Sequence, residues 1–211
     1  MSAFTKMIEG FLAFQRTVRR VDPGLFDRLA GKQEPKCMVI ACCDSRVDPA
    51  IITNAAPGEL FITRNVANLV PPHEPDARYH GTSAALEFAV YVLKVEFIVV
   101  MGHSGCGGIQ ALIEQSPVLG AYGDYIGSWM RLAEPARLRT LAAVGDQPRE
   151  RQCAHCEREV VKVSLANLMT FPCIAQRVRT GAITLCGLYF DIQSGAMDRY
   201  DPERDVFVPL A

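Results

Sequence analysis

The run Cys37-Met38-Val39-Ile40-Ala41-Cys42-Cys43 constrains this fold more than any other stretch: it holds no charge, glycine or proline, and it ends abruptly at Asp44-Ser45-Arg46. A segment so short and apolar has no polar face to give to water. It predicts a strand covered on both sides, with polar groups gathered at its carboxyl end. Val95 to Met101 repeats the pattern and runs into Gly102-His103-Ser104-Gly105-Cys106-Gly107-Gly108. Between the two, Glu59 to Val66 reads as a further strand after Pro57-Gly58, closed by Pro71-Pro72, and Thr82 to Leu93 carries helical spacing with few breakers. Strand, helix, strand, glycine-rich turn and helix together predict an α/β fold, a mostly parallel β-sheet flanked by helices. Sites in such sheets gather beyond the carboxyl ends of the strands, and two of these strands deliver Cys42 and His103 to that edge.

The remaining segments fill in around this frame. Met1 to Leu29, with Phe4, Met7, Phe11, Leu12 and Phe14 near helical spacing, reads as an amphipathic N-terminal helical arm interrupted at Asp22-Pro23-Gly24; it either covers the core or packs on another subunit. Tyr122 to Ala143 reads as one or two helices parted near Glu134-Pro135. Pro148 to Met169 reads as a longer helix whose apolar stripe includes Val160, Val163, Leu165 and Leu168. Ala182 to Tyr189 adds a fourth strand, and Asp198 to Glu203 reads as turn-rich before Val206-Phe207-Val208. With 211 residues and neither an internal repeat nor a long linker, a single domain over 1–211 is expected, the arm 1–29 included.

Charge narrows the function. The 22 basic and 23 acidic residues leave a net charge of -1, which points to no nucleic acid and no anionic membrane surface as partner. No apolar run approaches the roughly 18 residues a membrane span needs, and the N-terminus lacks the succession of a secretory signal. The expectation is a cytoplasmic protein whose eight cysteines are buried thiols or metal thiolates rather than disulfides.

Cys42, His103 and Cys106 form a donor set suited to zinc, which takes thiolate and imidazole ligands and in catalytic sites keeps one position open. The spacing His103-Ser104-Gly105-Cys106 fits one compact turn, while Cys42 arrives from a separate strand. Taken singly, His103 is an ordinary hydrogen-bonded histidine and each cysteine a small hydrophobe; their joint placement beside glycines and strand ends favours coordination. Asp44 and Arg46 follow two and four residues beyond Cys42, close enough to pair, so that Asp44 stays ionised and oriented; Asp44 could alternatively fill the open zinc position, or the pair could be a plain strand-end salt bridge. The glycine-rich turn holds neither GxGxxG nor GxxxxGK[ST], which weakens a nucleotide reading. Cys153-Ala154-His155-Cys156 is a rival ligand cluster, read instead as cysteines facing the packed side of a helix.

The segments Cys42-Cys43-Asp44-Ser45-Arg46, Pro57-Gly58-Glu59-Leu60-Phe61, Arg64-Asn65-Val66-Ala67-Asn68 and Gly102 to Gly108 resemble the β-class carbonic anhydrases, and the resemblance covers most of the chain. It implies reversible hydration of carbon dioxide to bicarbonate and a proton by hydroxide held on Zn2+, one ion per subunit. Cys42, His103 and Cys106 are then the metal ligands and Asp44-Arg46 the catalytic dyad. Gln33 matches a substrate-orienting glutamine, often supplied across a dimer interface. Phe61 and Val66 match apolar pocket walls, Phe88 stands where many relatives carry tyrosine, and Gly102 counts among the pocket residues. The resemblance also implies a homodimer or a higher even homo-oligomer. Some relatives bind a regulatory bicarbonate through a tryptophan where this chain has Val39 and an arginine matching Arg64; without the indole donor, the plant-like open-site form is expected. Two other readings stand beside it: a zinc-dependent carbonyl sulfide or carbon disulfide hydrolase, and a non-enzymatic zinc-stabilised assembly protein.

Overall fold

The computed structural model describes residues 1–76, 78–116, 119 and 125–210. Two units are distinguished along the chain, Met1–Glu34 and Pro35–Ala211. The first consists of α1 (Ala3–Val21) and α2 (Leu25–Ala30), parted at Asp22-Pro23-Gly24 as expected. Within it Phe14 and Phe26 meet edge to face at 6.0 Å, and an ion pair between Asp22 and Arg28 closes the turn. Phe4, Met7, Phe11 and Leu12 of α1 are exposed.

The second unit is built on a six-stranded sheet: β1 (Cys37–Cys42), β2 (Leu60–Asn65), β3 (Phe97–His103), β4 (Thr184–Phe190), β5 (Met197–Asp201) and β6 (Val206–Pro209), in the order β2-β1-β3-β4-β5-β6. The first four are parallel; β5 adds antiparallel to β4, and β6 antiparallel to β5. The sheet is therefore mostly parallel, and the apolar runs lie at its centre. Asp198–Asp201, expected in a turn, is instead most of β5. Pairing with β4 and β6, and the tilted contact of Tyr200 with Phe207, ring centroids 5.3 Å apart, override the poor strand propensity of its charged residues.

Helices follow the strands in turn: α3 (Pro49–Ile52), α4 (Gly81–Glu87) continuing into a π-helical stretch at Phe88–Leu93, and α5 (Gly107–Ile113). Lys94, in the left-handed region at φ 55°, ends the π-helical stretch, and β3 begins two residues later than the hydrophobic pattern suggests. Next come α6 (Ile126–Met130), α7 (Glu134–Val144), α8 (Arg149–Leu168) and α9 (Pro172–Arg179). The break at Glu134-Pro135 falls where expected, with proline in the first turn of α7; residues 122–124 of that expected helical region lie outside the described residues.

Alternation along β1 divides the core. Met38 and Ile40 join Ile98, Val100, Val161 and Ile174 in one cluster, while Val39 and Ala41 meet Met101 in another. Each fully buried aliphatic side chain of this kind contributes about 1.5–3 kcal/mol. Helix α8 reaches the sheet through a notch. Val161 sits where a Cβ on Gly102 of β3 or on Gly187 of β4 would fall, at 2.7 and 2.9 Å from its two methyl carbons. Only residues without a side chain let helix and sheet approach this far. Among the described residues no helix is long and apolar enough to cross a membrane.

Candidate metal centre

Parallel register brings the ligands together. Ala41 pairs with Met101, so Cys42 at the end of β1 and His103 at the end of β3 leave the sheet side by side, and Cys106 stands immediately before α5. The donor atoms of Cys42, His103 and Cys106 lie within 4.8 Å of one another, the only such group of three among the described residues. All three residues are buried, at 5%, 1% and 2% exposure, which excludes a chance cluster of surface side chains. The two sulfurs are 4.0 Å apart, near the spacing of two thiolates that each stand about 2.3 Å from one tetrahedral ion.

The histidine is prepared for the same role. Its Nδ1 lies 3.0 Å from the Ser104 carbonyl and donates to it, which leaves the lone pair on Nε2. That Nε2 is buried and has no hydrogen-bond partner among the described residues, a costly state unless an ion accepts the lone pair. The sulfurs show the same demand. The Cys42 thiol is pulled down to about 4, foremost by the hydrogen bond from Cys106 and then, against the effect of burial, by His103 and the backbone N–H groups of Asp44 and Ala67. Cys106 is pushed up by the same partnership with Cys42 and by its own burial, opposed by the N–H groups of Ile109 and Gly108 in the first turn of α5. A soft divalent cation would displace the thiol protons and take two thiolates and an imidazole as ligands. The donor set fits zinc and leaves a fourth position for solvent.

Asp44 and Arg46 pair in a two-pronged geometry: Arg46 Nε donates to Oδ1 at 2.9 Å and Nη2 to Oδ2 at 2.6 Å, while the Arg46 backbone N–H also reaches Oδ1 at 3.0 Å. Arg46, through its side-chain and backbone hydrogen bonds and against the effect of burial, holds the Asp44 carboxyl well below the usual carboxylate range. Arg46 Nη2 makes one further bond, to the Gly105 carbonyl at 2.9 Å, which ties the dyad to the turn carrying His103 and Cys106.

Two supporting residues carry more than their sequence positions disclose. Arg64 of β2 donates from Nε to the Cys42 carbonyl at 2.8 Å, from Nη2 to the Asp44 carbonyl at 2.6 Å and from Nη1 to Asp48 Oδ2 at 3.0 Å; Asp48 in turn caps α3 through Ala50 N–H. Glu157 of α8, 4% exposed, accepts from the Cys106 N–H at 3.0 Å and from the Tyr189 hydroxyl at 2.8 Å. Its signal in the sequence was a carboxylate four residues before Val161 and seven before Ser164, inside the buried stripe of α8.

The other candidate pocket residues are spread out. Val66 lines a cavity of about 850 Å³ with Cys43, Asn65, His80, Thr82 and Trp129, and Trp129 Nε1 donates to the Val66 carbonyl at 2.8 Å. Phe61 is paired in register with Met38, four residues before Cys42, or about 13 Å along the strand. There it stacks on Phe88, centroids 5.8 Å apart, with Phe88 41% exposed. Within one chain these two rings stand together, away from Val66 and the ligands. Gly102 turns its Cβ position into α8, and Gln33 belongs to the N-terminal unit, where it is exposed. In the rival cluster, His155 Nδ1 bonds the Thr140 hydroxyl at 3.0 Å and Cys156 is buried in the core around α8.

A mostly parallel sheet that brings two thiols and an imidazole to its carboxyl edge, with an Asp-Arg pair beside them, defines an α/β protein with a zinc-type metal centre. The family model described as "Carbonic anhydrase" matches residues 37–197. Beta carbonic anhydrase 3 of Arabidopsis thaliana is 38% identical over 202 residues, covering 95% of this chain and 78% of that protein. The structure of the beta-carbonic anhydrase CcaA superposes with a TM-score of 0.92 at 31% identity, covering 99% of this chain and 100% of that one. A tetrameric beta-carbonic anhydrase from the ascomycete Sordaria macrospora gives 0.82 at 28% identity, over 93% and 95% of the two chains. The chain belongs to the carbonic anhydrase family, in its beta class. It is an enzyme that hydrates carbon dioxide to bicarbonate.

Proposed function

We propose that the chain runs this reaction reversibly at one zinc ion per subunit in the open form, with Asp44 kept on Arg46 instead of on the metal. The observation that carries this reading is the two-pronged Asp44–Arg46 pair, reinforced by the bond from Arg46 to Gly105. Two features support the absence of a regulatory bicarbonate site: Val39 offers no side-chain donor, and Arg64 already spends donors on two carbonyls and Asp48.

Cys42, His103 and Cys106 would hold the zinc ion, which would supply the acidity that brings the pKa of a bound water toward about 7. Asp44, ionised and immobilised by Arg46, acts as an acceptor only: it takes a hydrogen bond from the attacking solvent molecule and turns its lone pair toward the carbon of carbon dioxide. Val66 supplies apolar wall on the same chain. The Phe61–Phe88 stack, distant from the ligands within one chain, would reach a site only in a second copy, and the part given to Gln33 as a donor toward a substrate oxygen stands on the sequence alone. The enzyme on this reading is a homodimer or a higher even homo-oligomer, residues 1–211 act as one domain, and the free cysteines suit the cytoplasm.

Stopped-flow hydration measured together with zinc content tests the reading. About one zinc per chain and rapid turnover of carbon dioxide are expected, and Cys106→Ser is expected to lose both together. Full hydration by zinc-free protein, or turnover confined to carbonyl sulfide, overturns it.

A further inference from the structure

The Gly105–Cys106 peptide is gripped at both ends by charged side chains. Its carbonyl accepts from Arg46 Nη2 at 2.9 Å, and its N–H donates to Glu157 Oε1 at 3.0 Å. A trans peptide is planar, with C=O and N–H pointing in opposite directions, so a group that fixes one end aims the other. Gly105 adopts φ +68°, the left-handed region that favours glycine, and in this conformation the carbonyl faces the dyad while the N–H faces α8.

Glu157 is itself held firmly. Its second oxygen accepts from the Tyr189 hydroxyl at 2.8 Å; Tyr189 is 2% exposed, and its ring is covered by the Arg158 guanidinium at 3.8 Å from the centroid. A continuous path of hydrogen bonds therefore runs from Tyr189 through Glu157 and one peptide group to Arg46, and from Arg46 to Asp44.

We propose that Glu157, braced by Tyr189, is a positioning residue that holds Arg46, and through it Asp44, by fixing the orientation of the Gly105–Cys106 peptide. This rests on the reading of Asp44 and Arg46 as the working dyad. Losing the grip on the N–H frees the peptide to rotate, and Arg46 loses the third point that keeps its guanidinium in the Asp44 plane. The alternative is that Glu157 serves only to hold the metal ligand Cys106.

A double-mutant cycle separates the two. Glu157→Gln preserves shape but replaces a charge-assisted acceptor with a neutral one. The expected result is a fall of about tenfold in kcat with KM for carbon dioxide and zinc content unchanged. In an Arg46→Ala background the same substitution should cost less than about twofold. Nuclear magnetic resonance adds a readout independent of turnover: the Arg46 Nε–H signal should move together with the Cys106 amide signal. Losses that multiply in the double variant, zinc content falling in step with kcat, or an Arg46 signal that stays fixed each overturn the proposal. Should Glu157→Gln fail to fold, Tyr189→Phe, which removes only the donor behind Glu157, runs the same cycle and decides it. A wild-type enzyme that does not hydrate carbon dioxide overturns the functional reading itself; active wild type with multiplying losses overturns this inference alone.

Discussion

Arg64 offers the sharpest check on how the dyad is supported. Its guanidinium makes three bonds from one fork: to the Cys42 carbonyl, the Asp44 carbonyl and Asp48. Lysine, a point donor on a stem of similar length, reaches one of these acceptors and leaves two. A hydrogen bond from a charged donor contributes about 1.5–3 kcal/mol when buried. The Arg64 side chain is 26% exposed and Asp48 38%, so water replaces part of what is lost, and the Asp48 arm contributes less than about 1 kcal/mol. Arg64→Lys should therefore destabilise the protein by about 2 kcal/mol. Arg64→Met, which leaves two carbonyls and a carboxylate without their donor, should cost about 3–4 kcal/mol. The turnover effect follows from what the carbonyls belong to. One is that of the ligand Cys42 and the other that of Asp44, so kcat should drop about tenfold in Arg64→Lys, where a tenfold change corresponds to about 1.4 kcal/mol in the barrier. Urea unfolding at one fixed protein concentration gives the stability, since association would itself add to it, and stopped-flow hydration gives the rate. Lysine and methionine variants both within about 0.5 kcal/mol of wild type would falsify the bracing role.

Much of this architecture was legible because it rests on short-range pattern. The apolar runs at β1 and β3 can be satisfied only in a covered sheet, and the parallel register then forces Cys42 and His103 to leave from the same edge. What stayed hidden depends on long-range partners. The sequence Asp198-Arg199-Tyr200-Asp201 looks like a turn until β4 and β6 supply ladder bonds and Phe207 an aromatic face. Helix α9 was not anticipated: Pro172 closes the preceding segment by its usual reading, yet here it occupies the first helical turn, where its missing N–H costs nothing. Arg64 and Glu157 are the deeper cases. Each is a charged residue, Arg64 between Thr63 and Asn65 on β2 and Glu157 between Cys156 and Arg158 on α8, and each is bound to backbone groups 20 to 51 residues away. Periodicity reveals that such a residue is inside; only the fold reveals which carbonyl or N–H it was placed there to meet. Phe61 and Val66 show the limit from the other side: five residues apart on and just past one strand, they end in different surroundings.

Two further substitutions test the dyad and the docking of the sheet on its central helix. Asp44→Asn keeps the size of the side chain but loses the charge that pairs with Arg46 and turns one of two acceptor atoms into a donor; hydration should fall by about 10²-fold with zinc content intact, and unchanged turnover would remove Asp44 from the mechanism. Gly102→Ala puts a Cβ 2.7 Å from Val161 Cγ2, closer than carbon atoms pack, so α8 must withdraw from β3 at a cost of about 1–3 kcal/mol. Val161→Ala alone also destabilises, by emptying the notch. Together they should be milder than the sum, because the methyl added on the strand fills the space vacated on the helix. Since Glu157 lies one turn before Val161 on α8, the Gly102→Ala strain should also lower kcat, and the Val161→Ala partner should restore it along with stability. Additive losses in urea unfolding would show that the close approach of helix and sheet at Gly102 does not set the position of α8.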